Sequence, residues 1–193
     1  MLAAARRVFV ALGFHVATLD QIALEAGFSK GVVYSQFESK ADMFLALLER
    51  RIEERKAVQL RLASQVDGLD DFEEVLEEIA RVSRAEPGWR LLVIEFRVFA
   101  ARDRKLNRRY AELHERAVAG VVELLQQLYQ RSRVTPPAPL ATLARNLMVI
   151  ENGGALEEAL VAEPMTMHER SALLRRVLGV PPLDTARAGG RKR

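Results

Sequence analysis

Thr18-Leu-Asp-Gln-Ile-Ala-Leu-Glu-Ala-Gly-Phe-Ser-Lys-Gly-Val-Val-Tyr-Ser-Gln-Phe-Glu-Ser-Lys40 is the stretch that decides the fold of this chain. It reads as two short helices joined by a tight turn, with a third starting at once. Thr18 is a good N-cap, and Gln21, three residues on, completes a capping box. The helix they open runs to about Ala26, with Leu19, Ile22 and Ala23 on one face. Gly27 is placed to take the left-handed conformation that closes it. Ser29 caps the next helix, which ends near Phe37. Ser39 with Asp42 forms another capping box and opens a long helix from Lys40 to about Leu62. Two short helices so joined are the geometry that lays the second in the major groove of DNA.

Upstream, Leu2 to Leu12 is predicted to be helical, with Val8, Phe9 and Leu12 as its apolar stripe and Gly13 as its end. Phe9, Ile22, Phe28, Val33 and Phe37 are expected to fill a three-helix core. The small residues Ala23 and Ala26 allow the helices to cross closely. The outward face of the second helix is then left with Lys30, Gly31, Val32, Tyr34, Ser35 and Gln36. A glycine inside a helix costs up to about 1 kcal/mol, so Gly31 points to close backbone approach by a partner. Tyr34 can donate its hydroxyl to a phosphate and lay its ring on a thymine methyl. Gln36 can bond base or phosphate, and Lys40 sits at a helix N-terminus, where anions bind well.

The pattern Phe9-x3-Gly13-Phe14-x3-Thr18-x3-Ile22-Ala23-x2-Ala26-Gly27-x-Ser29-x-Gly31-x2-Tyr34-x2-Phe37-x-Ser39-Lys40 closely resembles the head of the tetracycline-repressor-like (TetR/AcrR) transcription regulators. The resemblance covers residues 1 to about 50; beyond that only helix number and length agree. It implies a homodimeric repressor with one head per subunit and a ligand-responsive C-terminal domain. By it, Thr18, Tyr34 and Lys40 match backbone-phosphate contacts, and Lys30, Gly31, Val32 and Tyr34 match positions that meet base edges. Ser29, Ser35 and Gln36 flank these, and Gln21 can reach the groove from its own helix. This sequence departs from the family's habit in having Val32 where threonine is frequent and Gln36 where histidine is frequent. It also begins almost at the first helix, without the basic arm many relatives carry. The departures bear on target sequence and affinity more than on the mode of binding.

The rest reads as a helical body. Helices are predicted from Asp70 to about Arg84, Trp89 to Ala101, Lys105 to Arg131, Leu140 to Val161, and from a Thr166–Glu169 capping box to Gly179. That makes about nine in all, an all-α chain without repeats. The expected organisation is a helix-turn-helix domain over 1–48, a ligand-binding and dimerisation domain over 49–182, and a disordered basic tail over 183–193. The aromatic stripe Trp89, Leu92, Val93, Phe96, Phe99, Ala100 reads as core or as pocket wall. Tyr110, His114, Met148, Glu151 and Asn152 add the few polar groups among apolar ones that a small-molecule pocket needs. Gly153 and Gly154 in mid-helix should cost roughly 1.5–2 kcal/mol against two alanines. The expected compensation is close approach of a neighbouring helix. In the resembling family the last two helices of two subunits form a four-helix interface. Leu143, Leu147, Leu173 and Val177, with the two glycines, are the candidates for it here.

The bulk numbers agree with this reading. Of 193 residues 49% are hydrophobic, aromatics are few and helix formers dominate. The net charge of +3 hints at an anionic partner. Residues 1–50, however, balance Arg6, Arg7, Lys30, Lys40 and Arg50 against Asp20, Glu25, Glu38, Asp42 and Glu49. There is no cysteine, which excludes disulfides and Cys-based zinc sites and fits a cytoplasmic protein. No run is apolar enough for a membrane span, and Met1 to Phe14 lacks a cleavage signature. No phosphate loop, metal-spaced His cluster or serine elbow is present, so neither an enzyme nor a cofactor is expected. The partners expected are double-stranded operator DNA, a small-molecule effector and a second copy of the chain. The alternative is a helical protein–protein module with a vestigial head.

Overall fold

The computed structural model describes residues 1–65, 75 and 88–180. Among these residues there are eight helices and no strand. They are α1 (Leu2–Val16), α2 (Leu19–Ala26), α3 (Lys30–Gln36), α4 (Lys40–Gln65), α5 (Trp89–Ala100), α6 (Arg104–Ser132), α7 (Leu140–Leu160) and α8 (Met167–Leu178). The helix expected from Asp70 to Arg84, apart from Val75, and the basic tail lie outside the described residues.

The local signals act as their chemistry requires. Thr18 Oγ1 accepts the N–H of Gln21 at 3.2 Å, and Gln21 Oε1 accepts the N–H of Thr18 at 2.9 Å. Two donors at the open end of α2 are thereby satisfied. Gly27 closes the helix at φ 68°. Thr166 and Glu169 form the same reciprocal box on α8, which Gly179 closes at φ 64°. Ser39 Oγ accepts the N–H of Asp42 at 3.1 Å at the start of α4.

α1 differs from expectation at its end. Gly13 takes φ 76°, ψ 164° inside the element, and the chain resumes helical geometry to Val16. The kink brings Phe14 into the core, fully buried, and leaves Leu12 41% exposed on the surface. Phe28 was expected in the core and is instead 45% exposed. It follows the left-handed Gly27, and its N–H returns to Ala23 O at 3.0 Å, which closes the turn while the ring points outward. Phe9, Ile22 and Val33 are fully buried as expected, and Phe37 packs at the margin.

The core of the head is continuous with the body. Phe9, Phe14 and Phe44 pack in one cluster with Leu92, Phe96 and Ala100 of α5 and Tyr110 and Leu113 of α6. The boundary expected at residue 48 falls within α4, which runs unbroken from the head into the body. Arg116 on α6 holds Glu49 at 2.5 Å and Glu53 at 2.6 Å, and Lys56 holds Glu123 at 2.8 Å. α4 and α6 are thus tied side by side. A second core joins Ala63 and Val75 to Leu125, Leu128, Leu143, Leu174 and Leu178. There Tyr129 donates its hydroxyl to Leu178 O at 2.6 Å, and burial pushes its pKa up to about 12.

Candidate DNA interface and the joint behind it

α3 is a seven-residue helix that buries one side chain, Val33. Lys30, Gly31, Val32, Tyr34, Ser35 and Gln36 all face solvent. A Cβ built on Gly31 would meet only Ser29 Oγ, at 3.9 Å. Nothing among the described residues therefore requires a glycine at this position. Gln36 keeps its amide free of protein partners among the described residues, whereas Ser35 donates its hydroxyl to Val32 O at 2.9 Å. Ser29 Oγ accepts the Val32 N–H at 3.4 Å as the cap of α3.

One residue of this face was missed by reading the sequence. Asp20 on α2 takes Lys30 Nζ at 2.5 Å through Oδ2 and the Tyr34 hydroxyl at 3.2 Å through Oδ1. The bond from Lys30 holds the Asp20 carboxyl below the usual carboxylate range, and Asp20 in turn raises the Lys30 ammonium. The carboxylate gathers the cation and the phenol into one patch. Spacings of 10 and 14 residues between helices carry no periodic signal, so only the folded turn brings the three together.

Thr18 and Gln21 are held together in their cap at the same edge. Lys40 is fixed differently from a free anion-binding lysine. Its Nζ donates to His15 O at 2.6 Å and Ala17 O at 3.1 Å, and it lies 5.0 Å from the centroid of the Phe14 ring. It thus caps the carbonyl end of α1.

Behind the head lies an aromatic joint. Phe14 meets Phe96 and Phe99, each at 4.9 Å between centroids, and Phe44 stacks on Phe96 at 4.2 Å. Trp89 lies over Phe44 at 6.0 Å, and Tyr110 reaches Phe96 at 6.1 Å. Such pairs add about 0.5–1.5 kcal/mol each beyond burial. Glu95 crosses from α5 to accept the N–H groups of Phe14 and His15, each at 3.1 Å. The kink at Gly13 is what turns these two donors toward it.

Of the residues expected to line a pocket, Phe96 and Tyr110 are buried in this joint and belong to the core. Trp89 and Phe99 pack at its edge. They were grouped correctly by the apolar stripe, but its periodicity does not separate packed core from cavity wall. His114 stacks on Tyr110 at 6.2 Å. Its imidazole pKa is lowered by desolvation and then by Arg97. Met148, Glu151 and Asn152 sit half-buried on α7. Glu151 lies 3.7 Å from Arg90 and 4.0 Å from Arg170.

The expected interface residues also divide. Leu143 is buried in the chain's own second core, and Leu147 and Val177 pack against it. Leu173 is half-buried. A Cβ on Gly154 would approach Arg170 Nη1 to 3.2 Å, so this glycine makes room for α8 of the same chain. Gly153 faces open space. It lies on an exposed stripe with Val149, Leu156 and Leu160, of which Val149 is 69% and Leu160 77% exposed.

Residues 1–47 match the model of the bacterial regulatory proteins of the tetR family. The Bacillus subtilis helix-turn-helix transcriptional regulator YfiR is 28% identical over 167 residues, covering 83% of this chain and 78% of the relative. Among solved structures, Salmonella enterica GusR superposes with a TM-score of 0.71 at 21% identity, over 93% of this chain and 92% of its own. The transcriptional regulator FadR from Bacillus subtilis, in complex with stearoyl-CoA, gives 0.65 at 15% identity, over 93% and 94%. Residues 1–47 thus match the DNA-binding head of the tetR-family regulatory proteins, and the chain as a whole has the fold of these solved regulators.

Proposed function

We propose that this chain is a TetR-family regulator that acts in the cytoplasm as a homodimeric repressor, which a small effector releases from a palindromic operator. The observation that carries the reading is the solvent-facing side of α3, where Gly31 has no packing reason among the described residues to be glycine. Thr18, Tyr34 and Lys40 take the role of phosphate contacts. Lys30, Gly31, Val32 and Tyr34 meet base edges, with Gln21, Ser29, Ser35 and Gln36 around them. Residues 1–48 form the reading head and 49–182 the effector and dimer domain.

The stripe Val149–Gly153–Leu156–Leu160 is the surface a second copy would cover. Its spacing of four, three and four residues keeps one helical face, and an exposed apolar face favours burial. Two heads fixed by one interface meet half-sites about one helical turn, roughly 34 Å, apart or a multiple of that.

Release needs the effector to bind better when the heads are displaced, with a coupling of about 1–3 kcal/mol. Two paths support this: α4, continuous from head to body, and α5, whose Glu95 holds the end of α1. Selection of bound duplexes from a random pool by the purified protein tests the reading. One palindromic sequence is expected. Recovery of none at low salt would leave the helical body as a protein-interaction module.

A further inference from the structure

Five of the eight residues from Arg102 to Arg109 are cations, and Asp103 is the one acid among them. They form the turn from α5 into α6, and all but Leu106 are exposed. Asp103 is used in the helix cap, where it accepts the N–H of Leu106 at 2.9 Å. Arg109 pairs with Asp42 at the start of α4. Arg102, Arg104, Lys105 and Arg108 make no ion pair or side-chain hydrogen bond among the described residues. Two turns farther along α6, Arg116 by contrast holds both Glu49 and Glu53. Arg104 and Lys105 also stand in the first turn of α6, where the helix dipole disfavours cations and no acid offsets them. The stability of the helix therefore does not explain the cluster.

The turn is fixed to the head at both of its ends. Before it, the N–H of Arg102 bonds Phe99 O at 3.2 Å, and the Phe99 ring lies 4.9 Å from that of Phe14 and 5.7 Å from that of His15. After it, Arg109 meets Asp42, two residues past Lys40. Lys40 Nζ in turn donates to His15 O at 2.6 Å and to Ala17 O at 3.1 Å, next to Thr18. The four cations thus flank the segments that carry Thr18 and Lys40. Residues 1–50 themselves set five cations against five acids. A head without net charge gains little from the field of a phosphate backbone, and the adjoining turn of the body has the charge that the head lacks.

We propose that the turn from Arg102 to Arg108 is a second DNA contact, set in the helical body, which takes backbone phosphates of the duplex beyond the half-site that α3 reads. This rests on the DNA-binding reading above and extends its footprint. Guanidiniums bind phosphate oxygens in a planar fork, with shorter and stronger bonds than neutral donors make. Phosphate contacts position a protein on the duplex without reading sequence. The turn therefore adds affinity and salt dependence, while the choice of operator stays with α3.

The test measures binding of the full chain, over a salt series, to the selected operator as a bare core and with about one helical turn, roughly 10 base pairs, added at each end. The flanked duplex should bind more tightly, with a steeper fall of log affinity against log salt. Arg104→Gln combined with Arg108→Gln, one turn apart on the exposed side of α6, should abolish that gain. It should lower the slope on the flanked duplex by about 2, at roughly 0.9 per phosphate contact, and leave unchanged the sequence recovered from a random pool. Arg133→Gln removes an exposed cation at the other end of α6, roughly 40 Å away at about 1.5 Å per residue, and should alter neither quantity. No gain from the flanks in the natural chain, or an equal gain in the folded double variant, overturns the inference while operator recognition stands. Failure to recover any operator at low salt overturns it together with the DNA-binding reading. Capture by phosphatidylglycerol vesicles that the double variant loses, with operator binding unmoved, would assign the turn to a membrane surface and overturn it as well.

Discussion

Glu95 on α5 accepts the main-chain N–H of Phe14, 81 residues away, at 3.1 Å through Oε2. The contact exists because Gly13 breaks α1 at φ 76°, ψ 164° and frees two donors that a continuous helix would have used. It links the part of the chain that faces DNA to α5 in the helical body.

Replacing Gly13 by alanine should therefore act twice. The backbone conformation is one that only glycine adopts freely, and the new Cβ would approach Glu95 Oε2 to 3.2 Å. A loss of about 1–3 kcal/mol is expected, read from the midpoint of urea unfolding. Glu95→Ala should cost about 1–3 kcal/mol by leaving its donors unbonded. It should also weaken the effect of any effector on operator affinity. Full effector response in a folded Glu95→Ala protein would show that the signal runs through α4 alone.

At the DNA face, Lys30→Gln removes one cation and should lower the slope of log affinity against log salt by about 1. Asp20→Asn should give the opposite electrostatic change. It removes the carboxylate that holds Lys30 and Tyr34 and that any phosphate arriving there must displace. Binding to random duplex should tighten, and discrimination for the operator should fall as Tyr34 loses its anchor. Filter binding over a salt series, with operator and random duplex in parallel, measures both.

Much of this fold was legible because its signals are local. The Thr18–Gln21 and Thr166–Glu169 boxes and the closing glycines Gly27 and Gly179 each act within one turn of helix, so a short pattern contains the physics. What was not legible depends on distant elements. Phe28 fits an apolar stripe, but the direction of the chain after Gly27 turns it outward. Phe96 and Tyr110 have the spacing of a pocket wall, and only the arrival of Phe14 and Phe44 makes them core. Asp20 and Glu95 gain their roles from helices that no spacing connects.

The two adjacent glycines of α7 should behave differently. Gly153→Leu adds a side chain in open space, so the subunit should keep its stability while the copies are held apart. Gly154→Leu drives a side chain at Arg170, whose guanidinium holds Glu158 at 2.8 Å, and should destabilise the subunit itself. Light scattering and thermal unfolding of both variants separate the effects. A dimer that survives Gly153→Leu would place the interface elsewhere than the Val149–Leu160 stripe.

His114 sets the last expectation. Its pKa is lowered in the folded chain from an ordinary value of 6.5, first by desolvation. The unfolded chain therefore takes up the proton before the folded one does. Since stability rises with pH wherever the unfolded state binds more protons, the contribution of His114 is full above about pH 6.5. It declines as pH falls from there toward the lowered folded value. His114→Gln keeps a polar side chain against Tyr110 and removes the titration. Urea midpoints between pH 5 and pH 8 should slope for the natural chain and flatten for the variant. The carboxylates act in a lower window. Asp42 is held below the usual range first by the Ser39 hydroxyl and then by Arg109, so its support is present above its ordinary value of 3.8 and fades under it. Equal slopes for the two proteins between pH 5 and 7 would show that His114 titrates alike in the folded and unfolded chains.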